Sequence, residues 1–216
     1  YEKAKQLANN GKTPMYIAID DKAVGIIAVA DVIKKNSKLA IQKLQEMGIR
    51  TVMITGDNEK TANAIAKEVG IDEVLAEVMP EHKADNVKKI QQSGDTVAMV
   101  GDGINDAPAL VQSNVGIAIG SGTDIAMESA DIVLIKNDIL DVVTAIKLSK
   151  ATIKNIKENL FWAFGYNTLG IPIAAGVLTL FGGPKLNPMI AAAAMSLSSV
   201  SVITNALRLK RFKKDI

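Results

Sequence analysis

The stretch TVAMVGDGINDAPAL, residues 96–110, decides the fold. An uncharged run, TVAMV, reads as a buried strand, and the loop after it gathers Asp102, Asn105, Asp106 and two glycines before Pro108 marks a helix start. Working outward, the same alternation recurs on both sides. TVMIT precedes the helix-patterned NEKTANAIAKEVG, EVLAE precedes PEHKADNVKKIQQSG, and the strands GIAI and DIVLI follow DAPALVQS. On the N-terminal side MYIAI and AVGIIAVA lead into a helix over SKLAIQKLQEMG. Strands alternating with helices predict a parallel sheet with helices on both faces, an α/β fold. Gly48, Gly70 and Gly94 suit helix C-caps, while Asn58, Pro80 and Asp106 suit helix starts.

In such a sheet ligands collect where strands end and loops turn into helices. Two loops stand there: TGDN, Thr55 to Asn58, and GDGINDAP, Gly101 to Pro108. Gly56, Gly101 and Gly103 permit close backbone approach, and free amides at a helix start attract phosphate. Asp102 and Asp106 would repel that phosphate unless a cation lay between them, which implies a hard divalent ion, with magnesium the one that pairs oxygen ligands with phosphates. Lys83, at a helix start between the two loops, is the candidate to neutralise a transferring phosphoryl group, and the Thr55 hydroxyl suits one of its oxygens. Lys88 and Lys89, further along that helix, read as solvated.

Composition narrows the class. The 216 residues carry 25 basic and 23 acidic side chains, a balance that does not suggest a nucleic-acid partner, and the absence of cysteine excludes disulfides and thiolate ligands. Apolar residues reach 48% although aromatics are only 4%, and the excess lies near the C-terminus. Phe161–Phe181 and Pro188–Leu207 are uncharged over about twenty residues each, the length needed to span a bilayer. Lys147, Lys150, Lys154 and Lys157 precede the first run, Arg208, Lys210, Arg211, Lys213 and Lys214 follow the second, and the connector holds only Lys185. That asymmetry predicts a transmembrane hairpin with both ends in the cytoplasm. Met195 and Ser199 share a helix face, and Tyr166 and Asn167 lie before an expected kink at Pro172; a thioether favours copper(I) or silver(I) over harder ions.

TGDN, MPEHK at 79–83 and GDGINDAPAL at 101–110 together resemble the phosphorylation domain of P-type ATPases, which has the haloacid dehalogenase type of α/β fold. The resemblance implies Asp102 as a magnesium ligand and Asp106 as a second ligand or the charge that positions Lys83. It further implies Thr55 and Asn105 as hydrogen-bond donors to the phosphoryl group, and Gly56 and Asp57 on the nucleotide side. YN in the first apolar run and MSLSS in the second resemble the last two helices of the copper(I) branch, implying that Tyr166, Asn167, Met195 and Ser199 ligate or relay the transported ion. The family's phosphorylated DKTGT aspartate, its TGE loop and the cysteine pair of a preceding membrane helix do not occur in these residues.

The expected organisation is therefore residues 1–28 as the end of a nucleotide-binding domain and hinge, 29–140 as the phosphorylation domain, 141–160 as a linking helix, 161–209 as two transmembrane helices and 210–216 as a cytoplasmic tail. The function implied is a share in an ATP-driven, aspartyl-phosphate-forming copper(I) export pump, multi-pass in the cell membrane with its soluble domain in the cytoplasm. ATP, magnesium, copper(I) or silver(I), lipid and the N-terminal part of the same pump are its expected partners, with room for a copper chaperone. A silver(I) or other heavy-metal pump, a soluble phosphatase of the same fold and a non-catalytic scaffold are the alternatives. The phosphatase would need its own nucleophilic aspartate, and Asp21 in DKAVG lacks the required DxDGT pattern.

Overall fold

The computed structural model describes residues 2–9, 12–29, 33–102, 104–120, 124–183 and 187–212. The chain forms two compact units, residues 1–143 and 144–216.

The first unit begins with a short helix, α1 (Glu2–Asn9), that the sequence pattern did not announce. Strands β1 (Thr13–Ile19) and β2 (Lys22–Val29) then form an antiparallel hairpin. Its turn residues, Asp20 and Asp21, have φ of 48° and 61°. Both therefore adopt the left-handed conformation that a two-residue hairpin turn requires, one aspartate tolerates better than most residues.

Helix α2 (Ser37–Glu46) leads into β3 (Val52–Ile54), α3 (Glu59–Val69), β4 (Glu73–Leu75), α4 (Lys83–Gln92) and β5 (Ala98–Gly101). After these come α5 (Ala107–Gln112), β6 (Val115–Ile119), the short α6 (Asp124–Glu128) and β7 (Ile132–Leu134). Asn58 caps α3 by accepting a 3.0 Å hydrogen bond from the Thr61 amide, and Gly70 ends that helix with φ 86°.

All pairings among β3 to β7 are parallel, as expected, but the expected single sheet is divided. β3 pairs with β4, and β5-β6-β7 form a separate ladder. Among the described residues β3 and β5 each keep one unpaired edge. Arg50, just ahead of β3, donates to Glu73 at 2.9 Å and to Asp95 at 2.6 Å, gathering the entry ends of β3, β4 and β5. The core packs on β6, whose Ile117 and Ala118 are fully buried with Leu110 of α5, Val87 of α4 and Ala40 of α2.

The second unit contains most of α7 (Leu140–Ala174) and all of α8 (Pro188–Leu207). Asn155 donates to the Asn205 carbonyl at 2.7 Å, the Asn205 side chain donates to Asn159 at 3.0 Å, and Arg208 donates to the Asn205 side-chain oxygen at 2.9 Å. The expected span at Phe161–Phe181 is not one helix. α7 stops at Ala174, two residues past Pro172, Gly176 turns the backbone to φ 86°, and Val177–Phe181 is a 3₁₀ turn. The apolar part of α7 is therefore only about 21 Å long at 1.5 Å per residue. Among the described residues no helix is long and apolar enough to cross a membrane. Lys185, Lys213 and Lys214, expected to flank the hairpin, lie outside the described residues.

Candidate phosphate and magnesium site

The loops that matter all leave the carboxyl ends of parallel strands. After β3, the Thr55 hydroxyl donates to the Asp57 carboxylate at 2.9 Å and accepts from the Asp57 amide at 3.1 Å. The loop after β4 braces this turn, because the Glu77 amide donates to the Asp57 carbonyl at 2.9 Å and the Val78 amide to the Thr55 carbonyl at 3.0 Å. A Cβ on Gly56 would meet only the Val78 carbonyl oxygen at 3.5 Å, an ordinary contact. The fold itself does not demand glycine there.

A 3₁₀ turn at Pro80–His82 delivers Lys83 to the start of α4. Its ammonium donates to Asp106 at 2.7 Å, and the two side chains are only 18% and 13% exposed. Asp106 occupies the N-cap position of α5, yet its side chain makes no capping hydrogen bond. The carboxylate is turned toward Lys83 instead, a charge-assisted contact stronger than a neutral one. Gly101 makes room for this arrangement, since a Cβ there would lie 2.7 Å from Asp106 Cβ and 2.9 Å from its Oδ2. The close approach expected at Gly101 is thus made by the chain's own Asp106 side chain. Gly103 lies outside the described residues.

Asp102 is 61% exposed, and Lys34, from the segment after β2, stands 3.5 Å from it. The Lys34 ammonium also donates to the Asn137 side chain, beyond β7, at 2.6 Å. Neither Lys34 nor Asn137 was expected from the sequence, because they meet across 103 residues and no local period links them. Asn105 is exposed on the 3₁₀ turn Ile104–Asp106.

The donor set suits magnesium. Among the described residues no cluster of three or more acidic, histidine or cysteine side chains is present. Magnesium does not ask for one, since it keeps several waters and commonly takes one or two carboxylates plus phosphate oxygens. Asp102 and Asp106 are the carboxylates that would hold it.

The residues expected to meet the transported ion lie in the second unit. Asn167 donates to the Ala163 carbonyl of its own helix at 2.9 Å, and the Tyr166 ring lies 6.3 Å from that of Trp162. Ser199 donates back to the Met195 carbonyl at 3.3 Å, and Met195 is largely exposed. Asn167 and Ser199 thus each bond to their own helix.

Residues 2–114 match the family model described as haloacid dehalogenase-like hydrolase. A copper-exporting P-type ATPase of Staphylococcus haemolyticus is 59% identical over 98% of this chain and 26% of its own length. Copper-transporting ATPase 1 of Rhizobium meliloti is 57% identical over 96% of this chain and 25% of its own length. The chain therefore spans about a quarter of the curated relatives it matches. Among solved structures, a zinc-transporting PIB-type ATPase in its E2.Pi state matches with a TM-score of 0.83 and 39% identity, over 96% of this chain and 33% of that one. On the match of residues 2–114, the chain belongs to the haloacid dehalogenase-like hydrolase family, and the relatives it resembles are heavy-metal P-type ATPases.

Proposed function

We propose that this chain is part of an ATP-driven copper(I) export pump that passes through an aspartyl-phosphate intermediate. The observation that carries the proposal is the largely buried 2.7 Å Lys83–Asp106 ion pair, standing at the carboxyl edge of the strands with Asp102 and the Thr55–Asp57 turn. A lysine fixed in this way meets negative charge developing on a transferred phosphoryl group without reorganising. Thr55 and Asn105 would donate hydrogen bonds to the phosphoryl oxygens, and Gly56 with Asp57 would support the nucleotide side. Magnesium, when bound, supplies charge neutralisation between the carboxylates and the phosphate. The phosphorylated aspartate is supplied from outside these residues, and the unpaired edges of β3 and β5 are where a further parallel strand would bring it between Thr55 and Asp102.

Copper(I) is favoured as cargo by the names of the relatives and by the soft thioether of Met195, with Tyr166, Asn167 and Ser199 as the accompanying polar groups. Exposed apolar side chains on the second unit, including Phe164, Leu169, Leu180 and Phe181, suit a bilayer or neighbouring membrane helices rather than water. We therefore assign this unit to the membrane and the first unit to the cytoplasm.

In the full-length pump containing this chain, Asp102→Ala should abolish ATP turnover, and Met195→Ala should remove its stimulation by copper(I) while leaving the protein folded. Undiminished turnover in Asp102→Ala would overturn the catalytic assignment. Stimulation by zinc(II) but not by copper(I) would overturn the cargo.

A further inference from the structure

Lys34 follows β2, far in sequence from every other group at the site, yet it is tied there twice over. Its ammonium donates to the Asn137 side chain at 2.6 Å, and two residues later Asn36 donates to the Asp138 carboxylate at 2.7 Å. The receiving loop is itself held. The Leu140 amide donates to the other Asp138 oxygen at 3.0 Å, and a Cβ built on Gly120, whose φ is +73°, would come within 3.0 Å of Asn137 Cβ. These contacts stitch the segment after β2 to the loop after β7 and leave the Lys34 ammonium 3.5 Å from Asp102. Lys83 cannot serve Asp102 in the same way, being committed to Asp106.

We propose that Lys34, held by Asn137, is a resident counter-cation for Asp102 that competes with magnesium and so lowers the site's affinity for it. The inference rests on the assignment of Asp102 as a magnesium ligand. An ammonium beside a carboxylate satisfies the carboxylate when no metal is present, and the incoming ion must displace that contact and then tolerate the tethered positive charge nearby. The effect is a weaker, more readily exchanged magnesium, which suits a site that must load and release the ion in each cycle. Because the pair is half exposed, its contribution is that of a surface ion pair, about two- to fivefold in affinity.

The test uses the full-length pump containing this chain, in detergent micelles, with manganese(II) as a spectroscopic stand-in for magnesium because both prefer octahedral oxygen ligands. Free manganese(II) is read by electron paramagnetic resonance, with magnesium as competitor. Lys34→Met should bind about two- to fivefold more tightly than wild type. Lys34→Arg should restore wild-type affinity, Asn137→Ala should fall between, and the Lys34→Met gain should shrink at about 0.5 M monovalent salt, where surface charges are screened. A merely structural role for Lys34 would not produce that salt dependence. Asp102→Asn separates the two ideas. If it leaves binding unchanged, or if wild type and Lys34→Met both fail to bind, the magnesium assignment falls and this inference falls with it. If Asp102→Asn abolishes binding but Lys34→Met binds no more tightly than wild type, the assignment stands and the role given to Lys34 is wrong.

Discussion

Gly101 shows how a single missing side chain can organise a site. Asp106 Cβ occupies the space a Gly101 Cβ would need, so Gly101→Ala must displace the carboxylate from Lys83 or shift the end of β5. Overpacking of this kind costs about 1–3 kcal/mol, and the variant should unfold at correspondingly lower urea concentration. Gly56→Ala, with no contact closer than 3.5 Å, should leave stability nearly unchanged, so any loss of turnover in the full pump would report on a ligand rather than on folding. Asp72 is a purely structural carboxylate with a pH signature. The Thr51 amide and hydroxyl donate to it at 2.7 and 2.8 Å and Gln45 donates at 2.9 Å, and these bonds, with Arg50 nearby, hold its pKa below the ordinary carboxylate value. A depressed folded-state pKa stabilises the protein above the unfolded value of about 3.9, and the benefit is lost as pH falls through the folded one. Asp72→Asn should therefore be less stable than wild type at neutral pH, and the difference should narrow only below about pH 4. Urea unfolding followed from pH 7 to pH 3 would measure it, and a gap that widens toward acid would contradict the assignment.

Among the elements, α5 and α8 are each held by a close contact that a small change would break. α5 approaches β6 so closely that a Cβ on Gly116 would lie 2.9 Å from the Leu110 carbonyl oxygen, an atom that cannot rotate away. Gly116→Ala should lower the unfolding midpoint, with a cost of about 1–3 kcal/mol. In the second unit, Asn155 and Asn205 are buried polar side chains, and Asn205 both donates to Asn159 and accepts from Arg208. Asn205→Leu keeps the bulk but removes these bonds, leaving Asn159 with its bond to Asn155 and Arg208 with its contact to Glu158. Loss of a buried partner costs about 1–3 kcal/mol, so thermal unfolding in detergent should begin earlier, with α8 cut first by added protease.

At the scale of the whole molecule, the first unit has a buried apolar core on β6, although Tyr16, Ile19 and Ile135 are exposed, whereas the second presents Phe161, Leu180, Phe181 and Met189 outward. Reconstituted into lipid vesicles, the chain should yield a protease-resistant fragment spanning the C-terminal part of α7 through α8. Complete digestion of that region would show that lipid does not cover it.

The α/β class, the order of the seven strands and the two loops bearing glycine and aspartate were legible along the chain, because strand and helix periods and turn chemistry are local and the loop motifs are contiguous, while the pairing of Lys83 with Asp106 entered only as one of two roles that the family resemblance implied for Asp106. Three things were not. The division of the sheet at β3 and β5 depends on which strands are available to pair, and pairing partners are distant in sequence. The end of α7 at Ala174 depends on Pro172 and the left-handed Gly176 acting together against an uninterrupted apolar pattern. The placement of Lys34 beside Asp102 is decided only when the segment after β2 and the loop after β7 are fastened to each other, a contact between residues a hundred positions apart that no spacing rule along the chain can anticipate.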